Sequence, residues 1–567
     1  MLTLGLSGVY HASSACLVED GRILGAVEED RFLKRWDEPG WASFAGNEWP
    51  IQSMAWCLNK RKARFSDIDH IAFAWDPRGF TQTPPEDDES LVKSSSHASD
   101  RMLAHLWASL AQSRLRAAPD IMQTLAIPNP LPDAKPCHAV WHGVSHQMAH
   151  AASAYLTSPF DEAAILCLYA RGEKSGTSYA TASGFTIDML GEVAAPHSFG
   201  RLYERITRHL GFDLGCGQAQ TMTLAAYGHP CLREAFEKII RMQDNGQYRI
   251  QDADLTELLG PPRAPDAPLL QQHKDVACSL QESLNESVLT LASWLQRTTN
   301  QRTLALSGGV FRNCVLNTAI RDAGLFDNIW VAPAPGAQAT ALGAALWIDH
   351  AVRKSKGRFS LNHACLGPEF SAEEIEEALL RSRLSFGRPP ALAVAVAARL
   401  ADGKVVAWFQ GGMEFGPQSL GGRCILASPA DPMMRQTLNS IKGRPDFQPI
   451  ASAVLADAAA DWFEDAKPSP FRSFITLTKS DKAPRIPSAV HVDGTARIQT
   501  VDHAVQGLFY DVIEAFGALT GIPVLLSTAF ATRGRPIVCT PADAIESYAS
   551  SAFDTLAIGP FLLEKSR

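Results

Sequence analysis

Apolar residues alternate with turn residues from the start of the chain. The segments LTLGLSG, SACLVEDG and RILGAVEED are three short apolar runs in succession, and Asp20-Gly21 lies between the second and the third. An Asp-Gly pair between apolar runs is typical of a tight β-hairpin turn. The pattern therefore predicts three antiparallel strands at the start of a large domain.

Two units of strand, glycine turn and helix follow a long helix predicted over 276–298. The segment TLALSGGVFRNCVLN runs from an apolar strand into Ser307-Gly308-Gly309 and then a helix. The segment NIWVAPAPG ends at Gly336 before the helical ATALGAALWIDHAV. Backbone N–H groups at such turns can hold phosphate, so the pattern predicts a crevice of nucleotide size. The polar residues 79–100 predict a surface loop or lid, and a helical pattern returns at 101–117.

The basic and irregular stretch near residue 355 is the best candidate for a boundary between domains. Beyond it, Ser371 and Glu374 form a capping box at the start of a helix. The remaining chain alternates apolar strands (KVVAWFQ, PVLLST, TLAIG) with helices, and no internal repeat is apparent. We therefore predict an α/β protein with a first domain over 1–355, a linker over 356–368 and a second domain over 369–567.

Composition narrows the classes of function. The chain has 567 residues, of which 46% are hydrophobic and 20% charged, and its net charge of −8 argues against nucleic acid as a partner. No run of about 18 apolar residues and no signal peptide is apparent, so no membrane partner is expected. The 11 cysteines occur singly, without a C-x-x-C pair, which favours reduced thiols and a cytoplasmic location.

His146 and His150 are the first candidates for chemistry. They lie four residues apart in HQMAHAASAY, a spacing that places both imidazoles on one helix face. Two such imidazoles can share one metal ion. They can also be two polar helix residues with unrelated roles, and the spacing alone leaves both interpretations open.

The segment around these histidines resembles the carbamoyltransferases of antibiotic and nodulation-factor biosynthesis. Other matches, in the right order and spacing, are GRILGAVEEDR, LSGGVFRNCVLN, TALGAAL, MEFGPQSLGGR, HVDGTAR, TGIPVLLSTAF and GRPIVCTP. The resemblance implies an N-terminal actin-like (ASKHA, TsaD-like) ATPase fold followed by a YrdC-like α/β domain. The opening three strands agree with this, because actin-like folds begin in that way.

The resemblance also implies a reaction with two sites. The second domain would condense ATP with carbamoyl phosphate to carbamoyl-adenylate, and the first would transfer the carbamoyl group to a small acceptor, with an iron-type metal polarising the intermediate. Matching catalytic positions are His11, His146 and His150. Matching positions for ATP are Arg423, Lys442, Arg444, His491, Asp493, Arg497, Arg533, Gly308, Gly309 and Asn313.

Several positions depart from the family pattern. Two aspartate metal ligands are replaced by Tyr169 and Ala337, which leaves His146 and His150 as a poor set for a borderline cation. In the second domain Gln418 and Gln448 stand where the family has arginine. A further arginine is replaced by Gly412, and glutamine cannot supply the charge that phosphate needs. We therefore expect the metal to be absent or weakly held.

Some residues allow two interpretations. His11 is either an active-site residue or a turn residue, and Asn313 either contacts the nucleotide or caps a helix. Glu28 and Glu29 follow an apolar strand and could contact substrate, but charges at a strand end are more often solvated, so solvation is the expectation. The leading hypothesis is transfer of a carbamoyl group to a hydroxyl or amine of a small natural product. The alternatives are another acyl donor, or a degenerate nucleotide-binding subunit. Association is expected as a homodimer or with an intact homologue.

Overall fold

The computed structural model describes residues 1–8, 12–32, 49–76, 137–214, 216–354 and 357–565. His11 and the segments predicted over 79–100 and 101–117 lie outside the described residues. No helix in the described ranges is both long and apolar enough to cross a membrane.

The first sheet begins with the three antiparallel strands that the sequence predicts. The Asp20-Gly21 turn between β2 and β3 has φ angles of 49° and 82°, as a tight hairpin requires. Strands β4 and β5 then run parallel to β1, and the order across the sheet is β3-β2-β1-β4-β5. The strands are β1 (Leu2–Ser7), β2 (Ser14–Glu19), β3 (Arg22–Glu28), β4 (His70–Phe73) and β5 (Val140–Gly143).

A second sheet repeats this topology. Its order is β12-β11-β6-β7-β8, in which β6, β7 and β8 are antiparallel neighbours and β11 and β12 run parallel to β6. This duplication of a 3-2-1-4-5 sheet confirms the predicted actin-like fold. The strands are β6 (Glu162–Leu168), β7 (Ser175–Ser183), β8 (Thr186–Ala194), β11 (Thr303–Ser307) and β12 (Asn328–Val331); β9 (Ile240–Met242) and β10 (Tyr248–Ile250) form a separate hairpin.

Helices pack between and around the two sheets. The helices of this half are α1 (Ile51–Arg61), α2 (His146–Tyr155), α3 (Phe199–His209), α4 (Gly217–Ala225), α5 (Arg233–Ile239), α6 (Leu255–Leu259), α7 (Gln271–Thr299), α8 (Cys314–Asp322) and α9 (Ala339–Trp347). Helices α2 and α9 approach so closely that a Cβ on Gly343 would lie 1.8 Å from the carbonyl oxygen of Ala149. Small residues thus bring α2, which carries both histidines, against the glycine turn before α9.

The second half is built on one mixed eight-stranded sheet of order β16-β17-β15-β18-β14-β13-β19-β20. The strands are β13 (Val406–Phe409), β14 (Arg423–Ala427), β15 (Ser452–Leu455), β16 (Ile475–Leu477), β17 (Thr495–Val501), β18 (Val524–Ala529), β19 (Thr555–Ile558) and β20 (Phe561–Glu564). The helices are α10 (Ala372–Ser382), α11 (Leu392–Ala401), α12 (Met434–Lys442), α13 (Ala459–Trp462), α14 (His503–Thr520) and α15 (Pro541–Ser550). The predicted capping box of Ser371 and Glu374 begins α10.

The described part of the predicted linker lies along the first domain. The backbone N–H of Leu361 donates to Thr157 O, and Leu366 O accepts from Ala26 N. The guanidinium of Arg358 donates to Tyr155 O and lies 4.2 Å from the centre of the Tyr155 ring. These bonds fix the entry of the chain into the second domain.

Candidate functional site: a histidine–tyrosine stack and a set of buried cations

The predicted histidine pair lies on one face of α2, as the spacing requires. Ser145 caps this helix by accepting the N–H of Met148, which sets its first turn. The rings of His146 and His150 meet edge to face with centres 4.5 Å apart, and both residues are buried. The pair sits beside the ends of β4, β6 and β11.

Tyr169 fills the position at which the family has a carboxylate. Its ring stacks on His150 at 5.2 Å and meets His146 edge to face at 5.1 Å. The hydroxyl is hydrogen bonded to Ser175 Oγ at 2.9 Å. Burial raises the pKa of Tyr169 far above its ordinary value, so the side chain stays a neutral phenol at neutral pH.

Hydroxyl groups surround the rest of this stack. The Nδ1 atom of His150 is 2.9 Å from Ser307 Oγ, at the end of β11. The carbonyl oxygen of Ala337, where the family has its second aspartate, accepts from Thr340 Oγ1 at 2.6 Å and from Ser7 Oγ at 3.4 Å. The turn is therefore held by bonds to its backbone and offers no carboxylate.

These residues do not fit the metal that the resemblance implies. The set consists of two imidazoles, a neutral phenol and an alanine, and a divalent cation of the iron or manganese type needs anionic oxygen ligands. Among the described residues no group of three or more His, Cys, Asp and Glu side chains is placed to hold a metal ion.

Glu173 is a functional candidate that the sequence did not single out. Its carboxylate accepts the backbone N–H of His146 at 2.8 and 3.0 Å and that of Asp76 at 3.0 Å. It thereby places a negative charge at the amino end of α2, where the helix dipole favours it. Burial nevertheless raises the pKa of Glu173 to about 7. The only signal in the sequence was an acid following Gly172.

The two glycines of the predicted phosphate turn have different roles. A Cβ on Gly308, whose φ is 106°, would lie 2.0 Å from Leu168 O, so this glycine lets β11 approach the end of β6. Around Gly309 no atom lies within 4 Å of the Cβ position among the described residues, which leaves room for a ligand. Asn313 caps α8, because its side-chain oxygen accepts the N–H of Leu316, and its amide nitrogen donates to Gln281. Of the two roles that the sequence allows for Asn313, this is the role of a helix cap.

Arg423, a predicted ATP-binding residue, uses most of its guanidinium donors on backbone carbonyl oxygens. It is fully buried, and its guanidinium donates to the carbonyl oxygens of Gln410, Gly411 and Pro368 at 2.8–3.0 Å. The group also lies 3.6 Å from the centre of the Phe409 ring. Arg423 thus anchors the loop around 410–412 against β13.

Lys442, Arg444 and Arg533 come together at the end of β18. Lys442 Nζ donates to Ala529 O and Ala531 O at 2.7 and 2.9 Å, and the Arg533 side chain covers Gly443. The Nε and Nη2 atoms of Arg444 are buried and have no acceptor in the part of the chain that the structure describes. Burial lowers the pKa of Arg444 to about 10, and burial together with Arg444 lowers that of Lys442.

Arg497 lies beside Arg472, whose guanidinium is buried. Sequence reasoning did not indicate Arg472. Arg497 Nε donates to Arg472 O at 2.7 Å. Arg472 is 1% exposed, and its Nη2 atom donates to Gln499 at 3.0 Å. No described carboxylate forms an ion pair with either arginine. Sequence reasoning missed Arg472 because this residue lies outside the segments that resemble the family.

His491 and Asp493 meet a residue of the first domain. The His491 ring lies 5.4 Å from that of Tyr227, which follows α4, and the Tyr227 hydroxyl donates to Phe447 O at 3.3 Å. Burial opposes the charge of Asp493, but hydrogen bonds from His491 and Thr495 outweigh it and lower the pKa of Asp493 to about 2. His491 of the HVDGTAR turn therefore contacts the first domain, whereas Val492 is exposed.

Glu28 and Glu29 are buried, so the expectation that they are solvated was wrong. Glu28 accepts the backbone N–H of Gly416, in the second domain, at 2.9 Å, and Arg31 donates to Gly416 O at 2.9 Å. Glu29 accepts from the first turn of α1 through Ser53 N and Oγ. Both acids are buried because their carboxylates accept backbone N–H groups that would otherwise lack a hydrogen-bond partner.

Two family models match the chain. The model described as the carbamoyltransferase N-terminus covers residues 2–346, and the model described as the carbamoyltransferase C-terminus covers residues 397–565. The chain belongs to the carbamoyltransferase family. The enzymes of this family are transferases, and both halves of the family architecture are present.

Relatives of this carbamoyltransferase extend over most of its length. The uncharacterized protein sll1178 of Synechocystis sp. is 33% identical, with 99% of this chain and 96% of the relative covered. Nodulation protein NolNO of Sinorhizobium fredii is 32% identical over 100% of this chain and 83% of the relative. Nodulation protein NolO of Bradyrhizobium diazoefficiens is 34% identical over 74% of this chain and 79% of the relative.

Solved structures are similar to about two thirds of the chain. Full-length HypF in its phosphate- and nucleotide-bound form covers 63% of this chain and 56% of that chain, at 11% identity and a TM-score of 0.36. The activator of the 2-hydroxyisocaproyl-CoA dehydratase from Clostridium difficile covers 63% and 97%, at 12% identity and a TM-score of 0.30. Likenesses of this extent do not bear on function, and the fold of the carbamoyltransferase follows from its strand order.

Proposed function

We propose that this carbamoyltransferase forms carbamoyl-adenylate in its second domain and transfers the carbamoyl group in its first domain. The acceptor is a hydroxyl or amine of a small molecule. In the first reaction water hydrolyses carbamoyl phosphate to carbamate and inorganic phosphate. A carbamate oxygen then attacks the α-phosphorus of ATP, which forms carbamoyl-adenylate and releases pyrophosphate.

The observation that carries the proposal is the environment of Arg444 and Lys442. Two basic groups lie side by side at the end of β18, and no described carboxylate forms an ion pair with either. A buried base without an acid is costly unless an anion joins it. A polyphosphate is such an anion, and guanidinium and ammonium donors at fixed positions stabilise the charge that develops on a departing pyrophosphate.

Transfer in the first domain would use the histidine–tyrosine stack without a metal. The acceptor oxygen or nitrogen attacks the carbamoyl carbon, AMP leaves, and an imidazole of the pair takes the acceptor's proton. The hydrogen bond between His150 and Ser307 fixes one ring, and Glu173 fixes the backbone of His146. The Tyr169 ring excludes water from the imidazole faces, which protects a hydrolysable intermediate.

The test measures release of AMP and pyrophosphate from ATP, with and without carbamoyl phosphate. We expect release that requires carbamoyl phosphate. The Arg444→Gln variant should lose it, and Arg381→Gln should retain it, since Arg381 is an exposed arginine of the same domain paired with Glu377 on α10. Absence of release from wild-type protein that binds ATP would refute adenylation of carbamoyl phosphate.

A second candidate function is favoured by Gln418 and Gln448. Both stand at positions where the family has arginine, and the amide oxygen of Gln448 is buried without a donor among the described residues. An altered set of cations suits another acyl donor, or a subunit that binds nucleotide and supports an intact homologue. Pyrophosphate release with a panel of carboxylic acids in place of carbamoyl phosphate distinguishes the first of these. Release only after mixing with the homologue distinguishes the second.

A further inference from the structure

Arg472 combines two features that are costly in a folded protein. Its side chain is 1% exposed, and its Nε atom is buried without an acceptor among the described residues. Its backbone has a φ of 57°, in the left-handed region that a residue with a Cβ adopts only at a cost. Such features persist where the surrounding structure enforces them, and they concentrate at functional sites.

The charge of Arg472 is not neutralised within the described residues. The backbone carbonyl oxygen of Arg472 accepts a hydrogen bond from Nε of Arg497, which is also a cation. Glu414 is the acid with an electrostatic effect on Arg472, but its oxygens accept the backbone N–H groups of Leu420, Gly422 and Arg423. Burial lowers the pKa of Arg472 only to about 10, so the group remains protonated at neutral pH.

The guanidinium is nevertheless held in one orientation. Gln499 accepts from Arg472 Nη2, while its own amide nitrogen donates to Leu420 O and Gln506 Oε1, each at 3.0 Å. The amide thus cannot rotate without losing both bonds. A cation that is fixed, desolvated and without a counter-charge is arranged to bind an anion with little reorganisation.

We propose that Arg472 and Arg497 form an oxyanion-binding subsite of the second domain and take a phosphate group of its substrates. The subsite rests on the proposed function and adds to it a residue outside the family-like segments. It supplies a charge in the domain where Gln418 and Gln448 have removed two. The phosphate belongs either to the polyphosphate tail of ATP or to carbamoyl phosphate.

The test compares Arg472→Met and Arg472→Lys with wild type in the full-length protein. Calorimetry with inorganic phosphate, pyrophosphate and a non-hydrolysable ATP analogue gives the affinities, and thermal unfolding gives the stability with and without each ligand. We expect Arg472→Met to weaken binding by about 10- to 100-fold and Arg472→Lys by about 3- to 10-fold, because lysine keeps the charge and loses the planar pair of donors. Arg381→Gln is the matched control and should bind like wild type.

Stability without ligand separates this role from a structural one. Removing a buried charge that has no partner does not destabilise the protein, so the unliganded Arg472→Met variant should melt at or above the wild-type temperature. Its melting temperature should rise less than that of wild type when ligand is added. A variant that melts lower and gains as much from ligand as wild type would overturn the subsite, because Arg472 would then be structural.

The ligands distinguish the two phosphates and the two proposals. A loss of affinity confined to pyrophosphate and the ATP analogue assigns the subsite to ATP, and a loss for inorganic phosphate alone assigns it to carbamoyl phosphate. Wild-type affinity in Arg472→Met for every ligand overturns the subsite and leaves the proposed function standing. Wild-type protein that binds none of the three overturns both.

Discussion

The polar side chains at the two sites differ in whether their hydrogen-bonding groups have partners. In the first domain His150 is bonded to Ser307 and stacked on Tyr169, and the hydroxyl of Tyr169 is bonded to Ser175. In the second domain the guanidinium nitrogens of Arg444 and Arg472 include buried donors that no described acceptor meets. The rings of the first site are held by hydrogen bonds and stacking among its own residues, and the second site is arranged for an anion.

This difference separates a site that has lost its metal ligands from a site that still lacks a counter-charge. Replacing two carboxylates by a ring and a methyl group removes a metal site, and local bonds then repair the gap at little cost in stability. Buried cations cannot be repaired in that way, since only an anion or their removal relieves them. Their presence without a described counter-charge supports the proposal that the second domain binds a phosphate group.

The largest expected effect breaks the second site. Arg444→Met removes a charge that lies beside Lys442 and should lower pyrophosphate release by about 100-fold or more, because no other side chain can replace its bonds to a developing charge. A coupled pyrophosphate assay under saturating ATP measures this. A fall of less than about threefold would place Arg444 outside the reaction.

The second prediction tests whether Glu414 is unavailable as a counter-charge for the buried cations. Glu414 accepts three backbone N–H groups, so Glu414→Gln should lower the free energy of unfolding by about 2–4 kcal/mol, measured by urea denaturation. Glu374→Gln, at an exposed cap, is the control and should cost less than about 1 kcal/mol. Equal losses in the two variants would show that Glu414 is available as a counter-charge.

A third prediction converts the first site back towards the family pattern. Tyr169→Asp combined with Ala337→Asp supplies two anionic oxygens beside His146 and His150 and should raise the affinity for Mn²⁺ or Fe²⁺ by about 10- to 100-fold. The Asn pair at the same positions is the uncharged control. Metal analysis of purified protein gives the result, and stoichiometric metal in the wild type would contradict the interpretation of Tyr169.

The smallest effect concerns Asp493, at the contact between the domains. Its pKa in the folded protein is about 2, below the ordinary 3.8, so its stabilising effect is present above pH 3.8 and is lost as the pH falls towards 2. Because the side chain is 37% exposed, Asp493→Asn should cost less than about 1 kcal/mol at pH 7. Unfolding curves between pH 2 and 7 should show a shallower acid limb in the variant.

The sequence by itself predicted the family, the opening hairpin, the helix over 276–298 and the second-domain strands. These features depend on local patterns: the Asp20-Gly21 pair, an apolar period and a capping box at Ser371 all act within a few residues. The sequence also predicted that His146 and His150 share a helix face, since that follows from helix geometry alone. The actin-like strand order was predicted only through the family resemblance, because strand order is a property of long-range pairing that local patterns do not reveal.

Only the tertiary structure decided which candidate groups are available. Arg423 and Arg444 are both arginines in segments that match the family. Arg423 donates to three carbonyl oxygens and keeps only Nε without an acceptor among the described residues, whereas Arg444 keeps both Nε and Nη2. Asn313 is used as a cap, and Glu28 is buried against Gly416. The physical reason is that a polar group's role depends on the partners that folding brings within about 3 Å, and for Arg423 and Glu28 those partners lie between 12 and 388 residues away in the chain.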